Sequence, residues 1–182
     1  MTDTPETPAL RDAFVGAMRR VATSVAVVTT DGPHGRFGVT VSAVASVSAD
    51  PPMILVCINR RSPAVQAIEK NGALTVNLLS AEQSTIAEVF AGIAPGRPPF
   101  DFSCAQWTDN GIVGAQHLQN AAASLHAAVD AVHQHGTHAV IIAKVMVAHS
   151  TDVEPLVYVR RKYGRVVSWN SIGGCPRNHG SP

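Results

Sequence analysis

The chain has 182 residues, 46% of them apolar and 15% charged, with a net charge of +1 at pH 7. It is long enough for one domain with a proper core, and its composition excludes disordered and fibrous classes. The near-zero charge gives no reason to expect nucleic acid as a partner.

A mean hydropathy of +0.12 with so few charges points to apolar surface covered between subunits. Cys57, Cys104 and Cys175 are odd in number, far apart and in no CxxC. That fits a reducing compartment and argues against a disulfide frame or a thiolate zinc site. No apolar run approaches the roughly 20 residues of a membrane span. The first residues lack the basic and apolar parts of a signal peptide, so a cytoplasmic location is expected.

In chain order, residues 1–9 read as a polar tail leading into one domain over residues 10–169. Leu10–Val21 places Leu10, Ala13, Phe14, Ala17, Met18 and Val21 at helical spacing and is predicted to be an amphipathic helix. Ser24–Thr30 is a β-branched strand, closed by the turn Asp31-Gly-Pro-His-Gly35. Arg36–Ser48 and Met53–Asn59 are two further strands. Ser62 caps a predicted helix over Pro63–Lys70, with proline at its first position, and Asn71-Gly72 stops it. Ala73–Leu79 is a strand, and Ser80 is expected to cap a short helix over Ala81–Phe90. Ala91–Pro99 reads as a loop, and Asp101–Gly114 is turn-rich, with Trp107 as a packing anchor. Ala121–Val132 is ambiguous, because its alanines favour helix while Leu125, Ala127, Val129 and Ala131 alternate. Thr137–Ala148 and Pro155–Arg160 are strands, Tyr163-Gly164 is a predicted turn, and Arg165–Trp169 is a last strand. Residues 170–182 read as a flexible tail. Many short strands with few helices favour a mainly β fold, an antiparallel Greek-key barrel with peripheral helices.

Three groups of residues carry possible chemistry. Gly38–Pro52 alternates small, hydroxylated and β-branched residues without a charge until Asp50. On an unbroken strand Thr40, Ser42, Ser46 and Ser48 share one face, which is either solvated or offered to a polar ligand. Asn59-Arg60-Arg61-Ser62 precedes a helix, whose free N–H groups with two guanidinium groups suit a phosphate. An ordinary capped helix with solvated arginines fits the same residues. Arg160-Arg-Lys-Tyr163-Gly164-Arg165 is a basic turn that suits an anionic ligand tail or, equally, solvent. Arg97 is a further loop cation. His133-Gln-His135-Gly-Thr-His138 has no neighbouring carboxylate or thiolate, so it reads as a polar turn and no metal is expected. There is no GxGxxG after a strand, no P-loop, no GxSxG and no HExxH. If the chain is an enzyme, a bound cofactor carries the chemistry.

The ordered set Gly38-x-Thr40-x-Ser42-Ala43-x-x-Ser46-Val47-Ser48-x-Asp50-Pro51-Pro52, Asn59-x-x-Ser62, Val76-Asn77, Gly136-Thr137-His138, Pro155-Leu156-Val157-Tyr158 and Tyr163-Gly164 resembles the short-chain flavin reductase family. The resemblance runs from about Phe14 to Trp169. It implies an FMN-binding split β-barrel, a homodimer, and reduction of FMN or FAD by NADH or NADPH for a separate monooxygenase component. It implies flavin contacts from Thr40, Ser42, Ala43, Ser46 and Ser48. It implies a ribityl-phosphate end at Cys57, Asn59, Arg61 and Ser62, with closure over the flavin by the region of Phe90 and Arg97. His138 matches the histidine of a Gly-Asp-His motif whose middle residue here is Thr137, and Tyr163 matches a tyrosine at the substrate pocket. The same resemblance makes Ala121–Val132 a strand. The rival reading is a flavin-binding carrier of the same fold without nicotinamide turnover.

Overall fold

The computed structural model describes residues 7–109 and 116–168. The expected tail 170–182, Trp169, residues 1–6 and part of the turn-rich stretch lie outside the described residues. Helix α1 (Pro8–Met18) is capped by Thr7, whose side chain accepts a hydrogen bond from the Leu10 N–H at 3.3 Å. Proline occupies the favoured first turn. The helix thus starts two residues before the expected Leu10. None of its residues is buried, and Leu10, Phe14 and Met18 are 59%, 61% and 50% exposed.

The strands are β1 (Thr23–Ser24), β2 (Ala26–Thr30), β3 (Phe37–Val41), β4 (Val44–Ala49), β5 (Pro52–Asn59), β6 (Ala73–Leu78), β7 (Trp107–Asp109), β8 (Gln116–Leu118), β9 (Ala123–His135), β10 (His138–Ser150), β11 (Leu156–Val159) and β12 (Lys162–Arg165). Two more helices, α2 (Pro63–Asn71) and α3 (Ser84–Phe90), are joined by β6 and a turn. Seven antiparallel strands form the main sheet in the order β3-β2-β6-β9-β10-β5-β4. A second sheet runs β1-β11-β12, and β7 pairs with β8.

Strands β3 and β4 are opposite edges of the main sheet, yet Ser42-Ala43 alone separates them in the chain. Laid flat, seven strands at about 4.8 Å spacing would put the edges about 29 Å apart. The three steps from Val41 to Val44 span at most about 11 Å. The sheet must therefore curl until its edges meet. Among the described residues no ladder joins β3 to β4, so the chain closes the barrel and hydrogen bonds do not. This is a split β-barrel, as the mainly β expectation required.

Helix α2 plugs the barrel. Its Ala64, Val65 and Ile68 share one core with Val28, Val56, Ile58, Val76 and Ile141. Ser62 caps it toward the Ala64 N–H at 3.3 Å, and Gly72 ends it in a left-handed conformation at φ 69°. A second core outside the barrel gathers Val25, Val27, Leu79, Phe90, Leu118 and Leu156. Between the two, fully buried Asn77 donates from Nδ2 to the Val27 carbonyl. Its Oδ1 accepts from the Leu118 N–H and the Ser124 hydroxyl, both at 2.9 Å.

Three expectations change, and the ambiguous Ala121–Val132 resolves to the strand that the resemblance implied. The hydroxyl-rich stretch is not one strand but β3 and β4, because Ser42-Ala43 turns the barrel corner, and the β4–β5 register also shifts between Ser46 and Ser48. The helix propensity of Ala121–Val132 is overridden: β9 pairs with β6 and β10 on both sides, and small Ala127 fits the interior fully buried. Ser80 does not cap a helix. Its bridge to Pro155 keeps the chain extended, its N–H donates to Gln83 Oε1 at 3.0 Å, and α3 begins only at Ser84. The turn near the end falls at Arg160-Arg161 instead of Tyr163-Gly164, which lies within β12. Both arginines have positive φ, 52° and 64°, the pattern of a type I′ hairpin turn. A non-glycine side chain in that region costs roughly 1–2 kcal/mol.

Candidate functional site: two clefts at the barrel corner

The corner Ser42-Ala43 is exposed and carries the smallest side chains that leave the backbone open to approach. The Ala43 carbonyl accepts from the Cys57 N–H at 3.0 Å, which pins the corner to β5. Asn59 lies two residues further along β5, about 7 Å at strand rise.

There the first cleft opens, about 350 Å³, lined by Asn59, Arg60, Arg61, Gly136 and Thr137. Pairing of β5 with β10 sets Asn59 opposite His138 and so brings together two motifs far apart in the chain. The loop is held firmly. Asn59 Oδ1 accepts from the Arg61 N–H at 3.0 Å, the Thr137 carbonyl accepts from the Arg60 N–H at 3.1 Å, and Arg60 donates to the Gly136 carbonyl. Thr137 Oγ1 lies 2.9 Å from His138 Nδ1, so threonine in the middle position steers the imidazole itself. The positive end of α2 and two guanidinium groups meet here, a setting that favours a phosphate.

The second cleft, about 180 Å³, lies on the other side of the corner. It is lined by Thr40, Val41, Ser42, Ala91, Ile93, Tyr158 and Tyr163. Tyr158 and Tyr163 are cross-strand partners with ring centroids 5.1 Å apart. Burial, then the Glu88 carboxylate and Tyr158, push the Tyr163 phenol above its usual value of 10.0. Tyr163 therefore keeps its proton at neutral pH and can donate it in a hydrogen bond. Thr40 donates to the Ala87 carbonyl at 2.7 Å, which ties β3 to α3 at the cleft wall.

The expected site residues do not all converge. Thr40, Ser42 and Tyr163 share the second cleft; Asn59 and Arg61 line the first; Ser62 caps the adjoining helix; Ala43 and Cys57 link the two. His138 and Tyr163 lie at different clefts of the single chain. Ser46 is exposed on the edge strand β4, and Ser48 Oγ accepts from the Asp50 N–H at 3.2 Å. Arg97 is exposed in its loop, near Asp101, whose carboxyl it helps to hold below the usual carboxylate range after two hydrogen bonds from Ser103. Phe90 corrects the expectation of a closing residue. It is fully buried, edge-on to Phe102 and Trp107 at 5.0 and 5.9 Å, so its ring supports β3 from behind. Sequence reasoning missed Tyr158. Its signal was available: once the turn is set at Arg160-Arg161, Tyr158 and Tyr163 must face each other. Among the described residues no group of three or more His, Cys, Asp or Glu could hold a metal ion.

A family model described as flavin reductase like domain matches residues 18–166. The chain belongs to the flavin reductase-like family. It is 36% identical over 157 residues to the FMN reductase (NADH) RutF of Stutzerimonas stutzeri strain A1501, covering 86% of this chain and 88% of that one. Among solved structures, flavin reductase PheA2 superposes with a TM-score of 0.77 at 28% identity, over 92% of this chain and 100% of its own. The styrene monooxygenase flavin reductase (SMOB) of Pseudomonas putida S12 gives 0.73 at 26% identity, over 85% and 97%. Members of the flavin reductase-like family thus share the split barrel found here.

Proposed function

We propose that this protein reduces FMN with hydride from NADH and passes reduced flavin to a separate monooxygenase component. One observation carries the reading: a corner of small residues lines an aromatic cleft and is bonded to β5, the strand that ends at a phosphate-suited cleft, in a member of the flavin reductase-like family. The name of the Stutzerimonas RutF, FMN reductase (NADH), supports the substrates. The name of the Pseudomonas protein, a styrene monooxygenase flavin reductase, supports the partner.

FMN, when bound, supplies the hydride acceptor. The chain supplies position and electrostatics. Ser42 and Ala43 let the backbone approach a planar ring. Ser48 and Ser46 extend the polar edge along β4. The Asn59–Ser62 loop and the first turn of α2 hold the phosphate, with Arg60 and Arg61 balancing its charge. Tyr163, kept as the phenol, donates a hydrogen bond and walls the second cleft. Thr137 engages His138 Nδ1 and leaves Nε2 for a bound nucleotide. FAD in place of FMN, and NADPH in place of NADH, set their reacting rings against the same groups.

The protein acts as a cytoplasmic homodimer in this reading. The uncovered stripe Leu10, Phe14, Met18 and Val21, with Val47 on β4 and Met146 on β10, supports a self-association surface. The test is loss of nicotinamide absorbance with purified protein, NADH or NADPH, and added FMN or FAD. No oxidation with any pairing removes the reductase reading, and a yellow protein without turnover turns it into a carrier. His138→Ala should slow nicotinamide turnover more than it weakens flavin binding; unchanged steady-state rates would refute the role given to His138.

A further inference from the structure

The C-terminal end of α1 and the β11–β12 turn face each other across a cleft of about 420 Å³ lined by Gly16, Arg19, Arg20, Arg160 and Arg161. The Arg160 N–H donates to the Arg19 carbonyl at 2.8 Å, which docks the turn on the helix end. Four of the 14 cations of a nearly neutral chain meet there. Among the described residues none of the four is in an ion pair, and no carboxylate lines the cleft. Arg19 and Arg20 also suit the negative end of a helix. Arg160 and Arg161 have no such local reason. A two-residue type I′ turn is served best by Asn-Gly, yet this one holds two arginines in left-handed conformations. Strain kept at such a place directs attention to function.

The basic cleft is not isolated. A neighbouring cleft of about 280 Å³ shares Arg19, Arg160 and Arg161 with it, and runs past Tyr158 to Ser42 beside Phe14 and Met18, at the margin of the proposed self-association surface. Ser42 and Tyr158 also line the tyrosine cleft. One trench therefore leads from the barrel corner, along apolar and aromatic walls, to four uncompensated guanidinium groups.

We propose that this arginine cluster is a second phosphate site, distinct from the Asn59–Ser62 loop, which holds a phosphate group of a dinucleotide whose ring lies toward Ser42 and Tyr163. The assignment of the ring end rests on the flavin reductase reading. The phosphate is either the 2′-phosphate of NADPH or the pyrophosphate of NAD(P)H or FAD. Guanidinium groups bind each of these bidentately and with charge assistance.

The test is equilibrium titration of NADPH, NADH, FAD and FMN into the wild type and into Arg160→Asn/Arg161→Gly, with inorganic pyrophosphate as competitor. This pair installs the preferred turn, so the variant should melt no lower than the wild type. Arg19→Gln/Arg20→Gln, on an exposed helix end, is the second variant. Each pair should raise the dissociation constant of the bound ligand by about tenfold or more, and pyrophosphate should lose its competition. A rise for NADPH alone assigns the 2′-phosphate. Equal rises for NADH and NADPH assign the nicotinamide dinucleotide pyrophosphate. A rise for FAD without FMN assigns the flavin dinucleotide. Dissociation constants within twofold of wild type for all four ligands, in both variants, overturn the proposal. Failure of the reductase reading shows separately, as a wild type that oxidises no NADH while these titrations remain readable.

Discussion

Gly38 on β3 faces the aromatic cluster so closely that a single methyl group tests the packing behind the site. A Cβ there would lie 2.5 Å from Phe90 Cε1, 2.8 Å from Cδ1 and 3.2 Å from Phe102 Cζ. Phe90 has no room to retreat, being fully buried and edge-on to both Phe102 and Trp107. Gly38→Ala would gain up to about 1 kcal/mol from lost chain entropy in the strand. Overpacking a closed core costs about 1–3 kcal/mol, and contacts near 2.5 Å belong at the upper end. A net loss of about 2 kcal/mol follows, a fall in melting temperature of about 4–8 °C for a domain this size. Phe90→Leu removes the clashing ring edge, so Gly38→Ala should cost at least about 1 kcal/mol less in that background. Urea unfolding of the four proteins of this cycle measures both terms. A Gly38→Ala protein as stable as wild type, or a coupling below about 0.5 kcal/mol, would refute the reasoning. The same variant should weaken flavin binding, because β3 leads directly into Ser42.

Other substitutions probe other links. Asn77→Ala strips partners from the buried Leu118 N–H and Ser124 hydroxyl and should cost about 2–4 kcal/mol in urea unfolding; a loss under about 1 kcal/mol would mean the three bonds contribute little. Burial holds the His126 imidazole below its usual 6.5, so between the two values the unfolded chain binds the extra proton and stability drops as pH falls. Melting temperature should therefore decline below pH 6.5, less steeply for His126→Gln; identical slopes would exclude His126, leaving His117, which is shifted the same way by burial and His149. Phe14→Asp should dissociate the proposed dimer: burial of one such ring gives about 2 kcal/mol, and two copies weaken association about 1,000-fold. Sedimentation at fixed concentration reads the outcome, and an unaltered oligomer would free α1 from the interface.

The parts of the fold legible from residues alone were those with local causes. Ser62-Pro63 and Asn71-Gly72 mark both ends of α2 through capping chemistry. The β-branched runs of β2, β5 and β10 appear within a residue or two of their observed limits. What stayed hidden had causes distant in sequence. Ser42-Ala43 looks like strand until the sheet has to close, and the residues of β9 fit helix or strand until two neighbours claim its backbone. Glycine at 164 drew the predicted turn toward itself, whereas pairing across β11 and β12 put it at two arginines. Of the proposed site, Asn59–Ser62 and the corner are singled out by chemistry and by resemblance. Phe90 was misjudged because sequence cannot tell a ring that covers a ligand from one that braces a strand.

The joined edges have one more consequence. An open sheet offers its outermost strands to any passing chain, and Phe37-Gly-Val-Thr-Val41 is an apolar, uncharged segment of the kind that recruits others into fibrils. Here both outermost strands are tethered to each other by two residues, so neither can flatten to accept a stranger without uncurling the whole barrel. The corner proposed to meet the ligand is also the clasp that keeps the two edges from opening to other chains.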